Sequence, residues 1–254
     1  MKTESDIIIY IEFFHKLAQE YSAGRYLASG LDKGRVSTIG FAEVVFDLKE
    51  IFQFASGTSV FACQKILASL IDQNSSASFS NRDYLYHPII LDFISEGETC
   101  AENSETYLTR FFKDGKLQLR QVTASTVVGF EKLPEFVKKK ITTIDISGTT
   151  DSPDLFVRLW NSMHTCIHLT HLEMYRHVPP AISPQMEPLY SVNSFTTALQ
   201  PPADDYAQIM MFLPNIRELI IYCDNFGDLS EFALMTDVLG SYGINLILRP
   251  YLVG

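Results

Sequence analysis

The chain has 254 residues, of which 46% are hydrophobic and 20% charged, and its formal net charge is −10. This composition is typical of a globular protein with a sizeable core. The excess of acidic residues argues against nucleic-acid binding, which depends on neutralisation of phosphates by Lys and Arg. The N-terminal segment lacks the features of a signal peptide, and no apolar stretch is long enough to span a bilayer. We therefore expect no membrane contact, a cytoplasmic or nuclear location, and four cysteines that are reduced thiols.

Residues 1–112 are predicted to form a helical domain. A threonine-x-x-acid capping signal starts at Thr3, and apolar residues recur at helical spacing between Ile7 and Tyr21. A glycine-containing loop is expected from Gly24 to Gly34. Further helices are predicted from about residue 38 to Gly57, and over residues 60–72, 88–95 and 104–112.

A short apolar phrase recurs between residues 113 and 254. It consists of an apolar residue, two spacers, an apolar residue, one spacer and an apolar residue, as in Ile141–Ile146, Leu169–Met174 and Ile216–Ile221. The central apolar positions are Leu117, Ile144, Leu172, Leu219 and Leu246. The steps between neighbouring positions agree within one residue, except for the step from Leu172 to Leu219, which is much longer.

Helix-like segments at 133–140, 153–165, 206–213 and 229–242 lie between these phrases. Alternation of a strand phrase with a helix at a constant period predicts a stacked solenoid of strand–helix units. The long step predicts a Pro-rich insertion near residues 178–205.

The phrase and its period resemble those of the leucine-rich repeat superfamily, over roughly residues 113–254. The resemblance implies an α/β fold in which a short, irregular solenoid has parallel strands on one face and helices on the other. The Asn or Cys that normally follows the phrase is replaced by Val122, Thr149, His177, Asp224 and Tyr251.

A helical domain that precedes such repeats is similar to the substrate receptors of cullin-RING ubiquitin ligases. The run from Leu119 to Gly148 is similar in layout to the Zyg-eleven family of these receptors. That resemblance implies an adaptor or substrate receptor that binds elongin and cullin components. The segment Ser59–Cys63 is one residue shorter than the elongin-binding phrase of that family.

Two groups of residues suggest chemistry. The segment Asp145–Thr149 resembles the DxDGT loop of phosphatases, with Ser147 in place of the second Asp. A second group contains possible metal ligands that lie close together in the chain, and it consists of His164, Cys166, His168, His171 and His177. The repeat register points these side chains in different directions, so we expect no metal site and no cofactor.

The residues that flank the two inner apolar positions of each repeat strand are expected to point away from the core and to form a binding surface. These residues are Lys116, Gln118, Arg120, Thr143, Asp145, Ser147, His171, Glu173, Tyr175, Glu218, Ile220, Tyr222, Asn245, Ile247 and Arg249. The sequence therefore predicts a non-enzymatic protein-interaction module with protein partners, and self-association through the edge of the C-terminal repeat. A phosphatase-like hydrolase using Asp145 and a structural assembly subunit are the alternatives.

Overall fold

The computed structural model describes residues 4–36, 47–76, 83–97, 104–150, 152–174, 185–198, 209–223 and 236–250. The chain divides into two compact units, Met1–Phe111 with Lys132–Pro134, and Phe112–Glu131 with Glu135–Gly254. Helices are the regular elements described in the first unit, whereas the second unit contains a six-stranded parallel sheet. The protein is therefore of the α/β class.

The helices of the first unit pack around a core of large apolar side chains. They are α1 (Glu4–Asp32), α2 (Lys49–Thr58), α3 (Val60–Ser76), α4 (Asp83–Glu96) and α5 (Glu105–Phe111). The side chains of Phe52, Ile66, Ile90 and Phe93 are almost completely buried in this core. Their burial follows from apolar residues that recur at helical spacing.

The loop predicted from Gly24 to Gly34 is wrong, because α1 continues through Gly24 and ends at Asp32. A Cβ atom at Gly24 would lie 2.6 Å from the Cβ of Phe54 and 2.8 Å from the carbonyl oxygen of Ile51, both on α2. Glycine at this position therefore lets two helices approach closely and does not end the first one. Gly57 likewise lies inside α2.

The strands of the second unit form one sheet whose spatial order is the order in the chain. They are β1 (Lys116–Val122), β2 (Thr143–Thr150), β3 (His171–Met174), β4 (Ser194–Thr197), β5 (Glu218–Cys223) and β6 (Asn245–Pro250). Each strand pairs in parallel with the next. The helices of this unit are α6 (Ala124–Glu131), α7 (Glu135–Lys138) and α8 (Pro153–Ser162), with a 3₁₀ turn at Met163–Thr165 and short helical segments at 209–212 and 236–241.

The start of α8 shows how local sequence fixes one of these elements. The hydroxyl oxygen of Ser152 accepts a hydrogen bond from the backbone N–H of Leu155 at 3.3 Å, and Pro153 occupies the first turn. Both features favour a helix start, because they compensate for or remove N–H groups that lack a partner within the helix. The helix buries Phe156, Leu159 and Trp160.

One apolar residue from each strand lies in a single register row. The row is Leu117, Ile144, Leu172, Phe195, Leu219 and Leu246. The first five side chains are buried, and Leu246 on the last strand is half-buried. All five predicted central positions thus fall on parallel strands of one sheet, and Phe195 is an additional member.

The first residue of each strand from β2 to β6 makes the same backbone hydrogen bond. Its N–H group donates to the carbonyl oxygen of the residue that precedes the neighbouring strand. The donors are Thr143, His171, Ser194, Glu218 and Asn245, the acceptors are Gly115, Thr142, Thr170, Asn193 and Arg217, and the distances are 3.0, 3.0, 3.1, 3.1 and 2.7 Å. These bonds connect the starts of all six strands in chain order.

Strand β4 corrects the interpretation of the long step between Leu172 and Leu219. Phe195 lies almost midway between them in the chain and pairs in register with both, so the stretch expected to be an insertion contains a strand. Val192 and Phe195 occupy the first two apolar positions of the phrase, but Thr197 occupies the third. Although Thr197 is polar, it is 1% exposed, and this substitution hid the strand.

Two further expectations concern the cysteines and the membrane. Cys166 is a free, buried thiol, but Cys63 is disulfide-bonded, so the expectation of reduced cysteines is wrong for Cys63. Within the described ranges, no helix has the length and apolar character needed to cross a bilayer.

Candidate functional site: the polar face of the sheet

Spacer residues of all six strands lie side by side in two register rows. The first row is Lys116, Thr143, His171, Ser194, Glu218 and Asn245, and the second is Gln118, Asp145, Glu173, Thr196, Ile220 and Ile247. Because side chains alternate along a strand, both rows lie on the side of the sheet opposite the apolar row. We call these twelve residues the polar face. Ser194 and Thr196 were missed by the sequence analysis because β4 was missed.

The remaining predicted surface residues lie further along the strands. Arg249 on β6 is the register partner of Tyr222 on β5, and its guanidinium donates to the Tyr222 hydroxyl at 3.4 Å. Arg120 and Ser147 lie where the register between β1 and β2 shifts. Tyr175 lies outside the described residues.

The register shift between β1 and β2 depends on a glycine. Ladder pairing is regular as far as Leu119 with Ile146 and resumes one residue out of step at Gln121 with Thr149. A Cβ atom at Gly148 would overlap the carbonyl group of Arg120, so the two backbones meet where only glycine fits. This irregularity sets the end of the polar face on its first two strands.

A lysine and two carboxylates form an ionic network across the first three strands. Lys116 Nζ lies 3.3 Å from both carboxylate oxygens of Glu173 and 3.8 Å from Oδ2 of Asp145. The Nε2 group of Gln118 donates to the same Asp145 oxygen at 2.8 Å. Lys116 on β1 thus spans β2 to reach β3, which fixes the side chains of the network relative to one another.

The carboxyl group of Asp145 is the most buried charge in this network, with 5% of the residue exposed. Burial raises the pKa of this carboxyl group, and the hydrogen bond from Gln118 opposes the rise. The neighbouring charge of Glu173 raises the pKa further, while Lys116 and Arg120 lower it. Within the described part of the chain, its Oδ1 atom is buried and accepts no hydrogen bond.

His171 connects the network to β4. Its Nε2 atom lies 3.4 Å from Oε1 of Glu173 and 3.2 Å from the hydroxyl oxygen of Thr196. The polar contacts therefore continue from β1 to β4 without a break. Such cross-strand contacts restrict the orientations of the side chains that make them.

Exposure varies across the polar face: both of its residues on β4, Ser194 and Thr196, are buried, and its exposed members lie on the last two strands. Glu218, Asn245 and Arg249 are exposed, whereas Asp145 is buried. Ile220 was predicted to be part of the binding surface, but it is 6% exposed and lies between its register partners Thr196 and Ile247. Ile247 is half-buried and contributes some apolar area.

Within the described ranges, the two groups of residues that suggested chemistry make other contacts. Asp145 already accepts a hydrogen bond and is shielded from solvent, which is unfavourable for a nucleophile. No cluster of three or more His, Cys, Asp or Glu side chains with a metal-binding arrangement occurs among the described residues. His164 contacts Glu187 instead, and burial raises the pKa of the Cys166 thiol to about 12. His177 lies outside the described residues.

Comparisons with known proteins give no relative from which a role could be transferred: no family model, no curated protein and no solved structure matches the chain. The fold and the site define an α/β protein with a sequentially ordered parallel sheet and a polar face on that sheet.

Proposed function

We propose that the chain is a non-enzymatic protein-interaction module that binds its partner along the polar face. The observation that carries this proposal is the alignment of twelve spacer residues in two rows across six strands. Protein surfaces of this kind suit an extended partner, which can contact several strands at once. The side chains at the exposed end include Tyr222 and Arg249, and these residue types often dominate binding energy at interfaces.

We infer that the second unit is a short leucine-rich-repeat arc. Support comes from the parallel order of the strands, their similar spacing along the chain and the same backbone hydrogen bond at the start of each strand from β2 to β6. The steps in the chain on either side of β4 are slightly shorter than the others. Since β3, β4 and β5 nevertheless pair in register, the difference in length lies in the connections between the strands. The polar face then corresponds to the side of a repeat arc that usually meets ligands.

A finer proposal places the protein among adaptors or substrate receptors of cullin-RING ubiquitin ligases, in the cytoplasm or nucleus. The helical first unit would then bind elongin or cullin components, and the polar face would bind the substrate. Its support is the order of the two units, with helices first and repeats second. In affinity purification, the tagged chain should retain elongin and cullin subunits. If it retains neither, this finer proposal is contradicted, but the proposal that the polar face binds a partner is not.

The binding role of the polar face is tested by a paired charge reversal. Glu218→Arg with Arg249→Glu leaves the net charge unchanged. It alters an exposed polar-face residue on β5 and an exposed residue on β6 that lies beyond the polar face on the same side of the sheet. Glu135→Lys with Lys139→Glu is a matched control, because it swaps an exposed ion pair at α7. Proteins captured by the native chain and by the control, and identified by mass spectrometry, should be lost from the polar-face variant.

Two outcomes would contradict binding along the polar face. Equal capture by all three chains would place the binding surface elsewhere. A mass that rises with concentration in light scattering, with no captured partner, would favour the structural subunit that associates through its β6 edge. The hydrolase alternative has no specific support, since its proposed nucleophile Asp145 is buried.

A further inference from the structure

A polar pocket lies beside the amino ends of β4, β5 and β6, and none of its lining residues belongs to the polar face. It has a volume of about 620 Å³ and is lined mainly by Tyr190, Asn193, Asn215, Arg217 and Tyr242. This volume lies within the range of small-molecule sites, which is about 300–1,000 Å³. The residues come from three successive turns, so the pocket exists only because the strands are stacked.

Backbone and side-chain hydrogen bonds hold these turns together. The N–H of Arg217 donates to the carbonyl of Asn193 at 2.7 Å, and the carbonyl of Arg217 accepts from Asn245 at 2.7 Å. The side-chain amide of Asn215 donates to the carbonyl of Tyr190 at 2.8 Å. The backbone that positions Arg217 is therefore fixed before any ligand arrives, which lowers the cost of ordering on binding.

The pocket differs from the rest of the molecule in its charge. Among the described residues, Arg217 is its one charged lining residue and no carboxylate lines it, although the chain has 30 acidic and 20 basic residues. The Arg217 side chain is exposed and forms no ion pair within the described ranges. A guanidinium group with this freedom can bind a carboxylate through two parallel hydrogen bonds.

Two tyrosines provide the second recognition element. Tyr190 and Tyr242 are 63% and 65% exposed, and both line the pocket. Exposed aromatic rings next to a cation can pack against a planar ring while their hydroxyl groups stay in water. Such a pair favours a ligand whose negative charge is attached to an aromatic group.

We propose that this pocket binds an aromatic carboxylate, with Arg217 holding the carboxylate and Tyr190 and Tyr242 packing against the ring. The carboxylate could belong to a free aromatic acid or to the last residue of a peptide that ends in phenylalanine. The pocket shares no residue with the polar face, and the proposal does not rest on the partner proposed for that face.

The test is isothermal titration calorimetry of the full chain with benzoate, benzamide and acetate. Benzoate should bind, whereas benzamide, which lacks the charge, and acetate, which lacks the ring, should each bind at least tenfold more weakly. Arg217→Gln should weaken benzoate binding at least tenfold. Arg35→Gln, which removes an exposed arginine from the first unit, should leave the affinity within twofold. Unchanged fluorescence of Trp160 would show that the variants remain folded.

Several results would overturn the proposal: no binding of benzoate, equal binding of acetate, or full affinity in Arg217→Gln. Tyr242→Ala gives a second check, because it should weaken benzoate binding and leave acetate binding unchanged. A peptide with a C-terminal phenylalanine carboxylate and its amide identify the source of the ligand. Tighter binding of the peptide than of benzoate, lost on amidation, indicates a protein terminus, and tighter binding of benzoate indicates a free aromatic acid.

Discussion

Truncation of Phe195 tests whether β4 is an integral strand of the second unit. The side chain is 2% exposed, and its register neighbours Leu172 and Leu219 are also 2% exposed or less. Replacing a buried Phe by Ala removes its transfer energy and leaves a cavity, which together cost about 3–5 kcal/mol. With a urea dependence of about 2 kcal/mol per molar, the unfolding midpoint of the second unit should fall by about 2 M.

The fluorescence of Trp160 is a suitable signal, because it is the chain's single tryptophan and lies on α8 in the second unit. Tyr190→Ala is the matched control, since it truncates an aromatic side chain 63% exposed in the same segment and should cost less than about 0.5 kcal/mol. If Phe195→Ala does not fold, Phe195→Leu should still lower stability by about 1 kcal/mol. A loss below about 1 kcal/mol for Phe195→Ala would refute the packing of β4.

Three other predictions concern buried groups. Burial raises the pKa of Asp145, so its ionised form lowers the stability of the chain at neutral pH. Asp145→Asn should therefore be at least as stable as the native chain at pH 7, and the difference should shrink as the pH falls through the raised pKa. A loss above about 1 kcal/mol in urea unfolding at pH 7 would contradict this prediction. Gly148→Ala should lower the free energy of unfolding by about 3 kcal/mol or prevent folding, because its Cβ would overlap the Arg120 carbonyl group. At Gly240 a Cβ would meet no atom within 4 Å, so Gly240→Ala should leave stability unchanged or raise it slightly. Thermal melting followed by circular dichroism measures both effects. The buried Cys166 thiol, with a pKa of about 12, should resist iodoacetamide at pH 8 until urea unfolds the chain. Mass spectrometry of the peptide that contains Cys166 separates this thiol from the other cysteines, and its rapid labelling in the native chain would oppose this result.

The recurring apolar phrase predicted most of the sheet, because its central apolar residues are the ones that pair in register on neighbouring parallel strands. Leu117, Ile144 and Leu172 are separated by one strand and its connection to the next strand, and they pair in register with one another. The prediction failed at β4 because a buried threonine stands where an apolar residue was required. Val192 and Phe195, with two threonines after Phe195, were the signal that could have revealed the strand.

The helical unit shows a different limit of sequence interpretation. A glycine signals a loop when only local propensity is considered, since it weakens an isolated helix. At Gly24 the tertiary contact between α1 and α2 outweighs that preference, and no local pattern reveals such a contact.

The candidate site was predictable in direction but not in detail. Alternation along the strands identified Lys116, Asp145 and Glu173 as members of one face. The contact of Lys116 with a strand two places away depends on register and on side-chain reach, which the sequence does not specify. Arg217 is the first spacer of the phrase Ile216–Ile221, but only residues that flank the second and third apolar positions were counted as surface. Arg217 and the pocket around it were therefore missed.

The dissociation constant of a captured partner, measured by calorimetry with the full chain, tests the central proposal most directly. The native chain and the Glu135→Lys, Lys139→Glu control should bind with the same constant within about twofold, because exposed ion pairs contribute little. The Glu218→Arg, Arg249→Glu variant should bind at least tenfold more weakly, a loss of about 1.4 kcal/mol. Equal constants for all three chains would contradict the polar face as the binding surface.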